Sequence, residues 1–178
     1  MTKQFRFTSN RFAVAALALA AAAAAGSVHA AVATASSTSI VIAPIQIAKI
    51  TDLSFGSFAP GATPGTVTLS PNSTRSFSGG VVAAGGSSAA AQFNVTGESG
   101  LGYSITLGGS ATLTSGADTM AFTAISDLSA SASTSGNVTS GTLTGGAQSI
   151  YVGGVLSVAA SQPAGTYTGS VSATVEYN

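Results

Sequence analysis

The side chains able to do chemistry are few in this chain and stand apart from one another. Across 178 residues there are five lysines and arginines, five aspartates and glutamates, one histidine, and no cysteine or tryptophan. The one histidine, His29, closes an alanine-rich N-terminal stretch, so the chain downstream of it has no imidazole or thiol for a nucleophilic triad. A serine–lysine pair would have to draw on Lys49, beside a proline-interrupted apolar stretch. The carboxylates Asp52, Glu98, Asp118, Asp127 and Glu176 occur singly. Glycoside hydrolysis needs two carboxyl groups flanking one bond. Folding could pair Asp118 with Asp127, but solvated loop positions are the simpler reading. No Asp-x-Asp-x-Asp-Gly calcium loop is present, and no zinc ligand set can form. The glycine-rich stretches contain no Gly-Lys-Ser/Thr, so nothing cradles a phosphate. The expectation is a protein that is not an enzyme, with no catalytic residue, cofactor or metal.

Two weaker motifs are discounted. The triplets at Asn72, Asn94 and Asn137 match the glycosylation pattern, as chance allows in a chain rich in Ser and Thr. Thr-x-Thr at Thr66 and Thr68 is too fragmentary for a flat ice-binding face and reads as exposed strand positions.

The N-terminus reads as an export signal. Lys3, Arg6 and Arg11 form its positive end, and Ala13 to Ala25 is an unbroken apolar run. Ser27-Val28-His29-Ala30 supplies the small residues of a cleavage site. Cleavage is placed after Ala30, with Ala33 as the alternative. The run is too short for a membrane span, which needs about 20 apolar residues. The absence of cysteine excludes a lipoprotein, and Arg6 and Arg11 are not adjacent, which argues against a twin-arginine signal. The mature chain then starts at Ala31 and is long enough for one domain with a core. It keeps Lys49 and Arg75 against five carboxylates, a net charge of −3. Two separated cations make no basic patch, so neither nucleic acid nor an anionic membrane surface is an expected partner. Without disulfides, stability must come from packing and strand pairing.

Those elements are strands. Gly165 to Asn178 alternates without a slip: Tyr167, Val171, Ala173, Val175 and Tyr177 share one phase with Gly169, and polar residues hold the other. That period means a strand with one buried and one wet face. Gln92 to Thr96 and Leu101 to Leu107 alternate likewise around Gly97-Glu98-Ser99-Gly100, a spacing that predicts a hairpin. Ile40-Val41-Ile42 and Ile45-Gln46-Ile47 read as two strand segments joined at a kink, because Pro44 donates no ladder hydrogen bond. Thr66 to Leu69, Arg75 to Phe77 and Thr119 to Leu128 add further strands, and so does the region from Val138 to Val158. Gly153-Gly154 is expected to separate or bend the last of these. Gly79 to Ala91 is a small-residue loop or a weak strand through Val81 and Val82. Nine or ten short strands, frequent turns and no convincing helix predict an all-β antiparallel sandwich.

Several segments together resemble the bacterial secreted domain-of-unknown-function family 4402. They are Pro44-Ile45-Gln46-Ile47 with Asp52-Leu53-Ser54-Phe55-Gly56, Phe93-Asn94-Val95-Thr96-Gly97 with Tyr103-Ser104-Ile105, Val152-Gly153-Gly154-Val155-Leu156, Gly165 to Gly169, and Val175-Glu176-Tyr177-Asn178. That family is in turn similar to subunits of chaperone–usher pili. The resemblance implies an immunoglobulin-like sandwich lacking its final strand. A periplasmic chaperone would lend that strand first, and the N-terminal extension of the next subunit would replace it. It also implies an outer-membrane usher, a passage through the periplasm, and a fimbrial, cell-adhesion role at the cell surface. Pilins of this kind often end with a glycine 14 places from the C-terminus and a penultimate aromatic. Gly165 and Tyr177 hold those places, with Asn178 last. The chain departs from many pilins in having no disulfide.

Residues 31–43 form an N-terminal extension and 44–178 the domain. At ~3.3 Å per residue the extension would span roughly 40 Å, long enough to reach a neighbour. Ile40 and Ile42 are its candidate anchors; the alternative is that they belong to an ordinary first strand of the same chain. Gly165, Tyr167, Val171, Val175, Tyr177 and Asn178 are the candidate assembly residues of the last strand. Two functions follow. One is a structural fibre subunit whose partners are copies of itself or related subunits. The other is a self-complete secreted sandwich that binds glycan or matrix.

Overall fold

The computed structural model describes residues 30–178. The proposed signal run and its charged end lie outside the described residues; Ala30, the proposed cleavage position, is the first of them and is exposed. Residues 30–40 carry no strand or helix.

Residues 41–178 form one unit of twelve antiparallel-paired strands. In chain order they are β1 (Gln46–Thr51), β2 (Phe58–Ala59), β3 (Gly65–Leu69), β4 (Arg75–Gly79), β5 (Val82–Ala83), β6 (Ala91–Thr96), β7 (Gly102–Gly109), β8 (Thr112–Ser115), β9 (Asp118–Asp127), β10 (Ser140–Thr142), β11 (Ala147–Val158) and β12 (Val171–Tyr177). The protein is all-β, with a sandwich-like arrangement of a large sheet against a small one.

β11 is the spine of the large sheet. Its first half, Ala147 to Val152, pairs with β6, and its second half, Gly154 to Val158, pairs with β3. Along its other edge it pairs with β9 from Tyr151 to Ser157. β1 extends the sheet beyond β6, β4 beyond β3, and β8 beyond β9. The second sheet is β10-β7-β12, and β2 pairs with β5 in a short ribbon. Gly153 and Gly154 neither separate nor end β11. They mark where its partner changes, and both are buried. A Cβ on Gly153 would collide with the Leu69 carbonyl, and one on Gly154 with the Phe122 ring.

The expected hairpin of β6 and β7 does not form. β6 pairs with β1 and β11, whereas β7 pairs with β10 and β12. The turn at Gly97–Gly100 carries the chain from one sheet to the other. Phe93 and Val95 of β6 then meet Tyr103 and Ile105 of β7 across the core. Both strands alternate because both line that core, and a crossover turn uses the same residues as a hairpin turn. A second core cluster gathers Val67, Leu69, Met120, Leu156 and Val158 around Phe55 and Phe122. Those two rings meet edge to face, with centroids 6.1 Å apart and planes at 82°, a geometry worth about 0.5–1.5 kcal/mol beyond area burial.

Two further expectations are corrected. Among the described residues no strand precedes Pro44: Ile40, Val41 and Ile42 are exposed and belong to no ladder. The last strand begins at Val171, not Gly165. Ahead of it, Thr168 makes an isolated bridge to Thr114 and Ser170 hydrogen-bonds Ser110. The alternation from Tyr167 is real, because Tyr167 also packs inward, but it packs on the other core cluster from Val175 and Tyr177.

Candidate functional site: an open groove between the first and last strands

The first and last strands each have an unpaired edge. Among the described residues β1 pairs only with β6 and β12 only with β7. Backbone direction follows from their neighbours. The Ser170 carbonyl accepts from Ser110 and the Asn178 N–H donates to Gly102, so even-numbered residues of β12 point at β7. The N–H and C=O of Val171, Ala173, Val175 and Tyr177 therefore point to the free edge. On β6, the Gly97 N–H donates to Gly146, on the β11 side. By the same alternation Asn94 and Thr96 address β1, where they face Ala48 and Gln46. That leaves the backbone of Ile45, Ile47 and Lys49 on the free edge of β1.

The inward side chains along these edges are incompletely covered. Ile45, Ile47, Val171, Ala173, Val175 and Tyr177 all pack on the core but stay half-buried. Tyr103 and Ile105 on β7, next to β12, are 0 % and 5 % exposed. The difference is what a sandwich lacking one covering strand would show.

The two edges are tied at one end. The Tyr177 hydroxyl donates to the Ala43 carbonyl at 2.9 Å and accepts the Glu98 N–H at 2.6 Å. The Ala43 N–H in turn donates to the Glu98 carboxylate at 3.1 Å. Gly97 makes room for this clamp, because a Cβ there would strike the Tyr177 hydroxyl.

Further along, the walls part. A cavity of about 940 Å³ opens between Asp52–Pro60 and Gln162–Val171, with Leu53, Phe55, Phe93, Leu113 and Met120 among its lining residues. Among the described residues its only charged lining groups are Lys49 and Asp52, which pair with each other at 2.6 Å and are 58 % and 80 % exposed. A pair so exposed contributes little. The rest of the lining mixes apolar side chains with Ser, Thr and Gln, so the cavity suits an uncharged occupant.

Each wall is fastened from behind. The Arg75 guanidinium donates to the carbonyls of Phe55, Ser57 (3.2 Å) and Gly85 (3.3 Å), and lies 4.9 Å from the Phe77 ring centroid. Gly56 takes a φ of 66° in that wall, and a side chain on it would meet Arg75. A glycine is what this left-handed position favours. In the opposite wall the Gln162 amide donates to the Thr119 carbonyl at 3.2 Å and to the Tyr167 hydroxyl at 2.8 Å. The Tyr167 hydroxyl donates to the Pro163 carbonyl at 2.8 Å.

The structure brings some of the candidate residues together and leaves others apart. Gly165, Tyr167 and Val171 line the groove, and Gly165 lies so close to Ser115 that a Cβ would clash. Val175 and Tyr177 continue the same inward row, and Asn178 closes the ladder through its backbone. Ile40 and Ile42 are 90 % and 45 % exposed. Asp118 and Asp127 sit at opposite ends of β9. Asp127 instead gathers the hydroxyls of Ser129, Ser131 and Ser133, and the Ser131 hydrogen bond is the main cause holding its carboxyl below the usual range. Arg75, Glu98 and Ala43 were not anticipated as site residues. The one signal for Arg75 is its rarity: a lone arginine among glycine-rich loops has carbonyls to collect. Among the described residues no three His, Cys, Asp or Glu converge as a metal site, and no helix is long and apolar enough to cross a membrane.

Searches of the curated proteins and of the solved structures return no match. The family model described as Domain of unknown function (DUF4402) matches residues 45–177, and the chain belongs to that family. The match spans β1 through β12 and leaves the exposed segment before Ile45 outside it.

Proposed function

We propose that this protein is an exported structural subunit of a bacterial surface fibre, in which residues 31–43 of one copy lie as an added strand in the groove of the next. One observation carries the reading. Among the described residues, a groove with two unpaired strand edges, charged only by the mutually paired Lys49 and Asp52, belongs to a chain that also carries an unpaired, uncharged segment ending in exposed Ile40, Val41 and Ile42. Strand addition would join backbone groups on both sides of the inserted segment. Burying Ile40 would add ~1.5–3 kcal/mol, and Ile42, already half covered, about half as much. The contact is head-to-tail and need not close on itself, so copies can extend into a filament.

An open apolar groove is an aggregation hazard during export. A periplasmic chaperone that lends a strand, and an outer-membrane usher, are the partners this reading calls for. On this reading the protein acts by assembly and has no catalytic activity. The test is the size of the purified mature chain beside an Ile40→Asp/Ile42→Asp variant. Wild type is expected to form a series of multimers, and the variant to stay monomeric with an unchanged circular dichroism spectrum. Monomer for both, or multimers for both, would overturn the proposal.

A further inference from the structure

Resting on that reading, the structure assigns a second role to the Ala43-Pro44 junction: we infer that it bars the donor segment from the groove of its own chain, so that donation occurs only between copies. The sequence phase by itself favours self-closure. If residues 43 and 44 formed a two-residue hairpin loop, Ile42 would face Ile45 and Ile40 would face Ile47. Residues directly opposite in an antiparallel pair share a face, and Ile45 and Ile47 both pack on the core. The pair flanking a two-residue loop is hydrogen-bonded, and the N–H and C=O of Ile45 point to the free edge of β1, as such a pair requires. Side-chain phase, backbone direction and hydrophobicity thus all permit the segment to fold back along its own β1.

A two-residue turn at Ala43-Pro44 does not permit it. Two-residue hairpins use type I′ or II′ loops. Type I′ needs positive φ at both positions, and proline is held near −65°. Type II′ needs positive φ at Ala43, which costs an alanine strain, with a ψ that the following proline also disfavours. The backbone of Ala43 is occupied as well: its C=O accepts from Tyr177 and its N–H donates to Glu98. Reversing the chain there would reorient both groups away from the geometry in which they are bonded. Pro44 and the Tyr177–Glu98 clamp thus keep the best-matched strand out of the nearest groove, a device that trades monomer stability for assembly.

The test restores the turn. Ala43→Asn/Pro44→Gly in the full mature chain supplies the Asn-Gly pair that a type I′ loop favours. The expected product is a self-closed monomer that melts at a higher temperature than wild-type monomer and no longer multimerises. Adding Ile40→Asp to this variant should abolish the gain in melting temperature. Ala43→Gly/Pro44→Ser, which supplies the Gly-first pair of a type II′ loop and guards against a folding defect of the Asn-Gly variant, should also shift the distribution from multimer towards monomer. If wild type multimerises and neither the Asn-Gly nor the Gly-Ser chain departs from it, the inference is overturned while strand donation stands. If wild type is monomeric and none of the variants changes its melting temperature, strand donation itself fails.

Discussion

The Tyr177 hydroxyl donates to the Ala43 carbonyl across 134 positions of sequence, at 2.9 Å. It ties the end of the last strand to the point where the first begins, and so sets the closed end of the groove. Tyr177→Phe removes this bond and the one accepted from Glu98. Each such bond is worth about 0.5–1.5 kcal/mol net. A loss of about 1–2 kcal/mol in urea unfolding is expected, with faster amide exchange at Glu98, whose N–H loses its acceptor. Gly97→Ala should mimic it, by driving a methyl into the hydroxyl's place.

Arg75 should prove the most important charged residue for the groove. Replacing it with Met leaves the carbonyls of Phe55, Ser57 and Gly85 without their donor. Hydrogen bonds to a charged group are worth about 1.5–3 kcal/mol, so a loss of about 2–3 kcal/mol is expected in chemical denaturation. Arg75→Lys should recover little, because an ammonium cannot present the planar fork that spans the three carbonyls. Full stability of the Met variant would show the wall to be held by packing alone.

Tyr103 predicts an effect of opposite sign. Its ring is fully buried against Gly141, its hydroxyl has no hydrogen-bond partner among the described residues, and burial raises its pKa. Tyr103→Phe should therefore be neutral or stabilising by about 1 kcal/mol. Tyr103→Ala, which empties the same space, should cost about 3–5 kcal/mol. The comparison by urea denaturation separates the ring's packing from its hydroxyl.

Strand positions were legible in the sequence; sheet partners were not. Alternation marks Phe93 and Val95, Tyr103 and Ile105, and Val171 to Tyr177 as inward, and they are. It cannot say which sheet a strand joins, because two sheets facing one core impose the same alternation. Hence β6 and β7, read as a hairpin, turned out to face each other across the sandwich. The glycines of β11 read as breaks because flexibility is their commonest use, yet Gly153 and Gly154 are required by the closeness of Leu69 and Phe122. In the groove, Tyr177 and Val171 could be singled out from their phase. The Arg75 and Glu98 contacts could not, since they arise from loops brought together only by the finished fold.

Acid should weaken the loop after β9. Hydrogen bonding by Ser131, with smaller help from the Ser129 and Leu128 backbones and Ser133, lowers the Asp127 pKa. A carboxyl whose folded pKa lies below its unfolded value stabilises the fold above the unfolded pKa, and that stability is lost as pH falls through the folded one. Unfolding followed from pH 6 downward should show a loss beginning near pH ~4, and Asp127→Asn should flatten that part of the curve. An unchanged profile would mean that the serines order the loop without the charge.

The central claim is that copies are joined by donated strands, and the most direct measurement is made on the native host. A sheared surface fraction is run on a denaturing gel with and without boiling. Subunits locked by inserted strands should appear as a ladder unboiled and collapse to a single band after boiling. The ladder should vanish in a strain whose chain lacks residues 31–43 while the protein is still exported. A single monomer band in both lanes, with the protein present in the fraction, would contradict the account and return Ile40 and Ile42 to the role of exposed residues in an unpaired N-terminal segment.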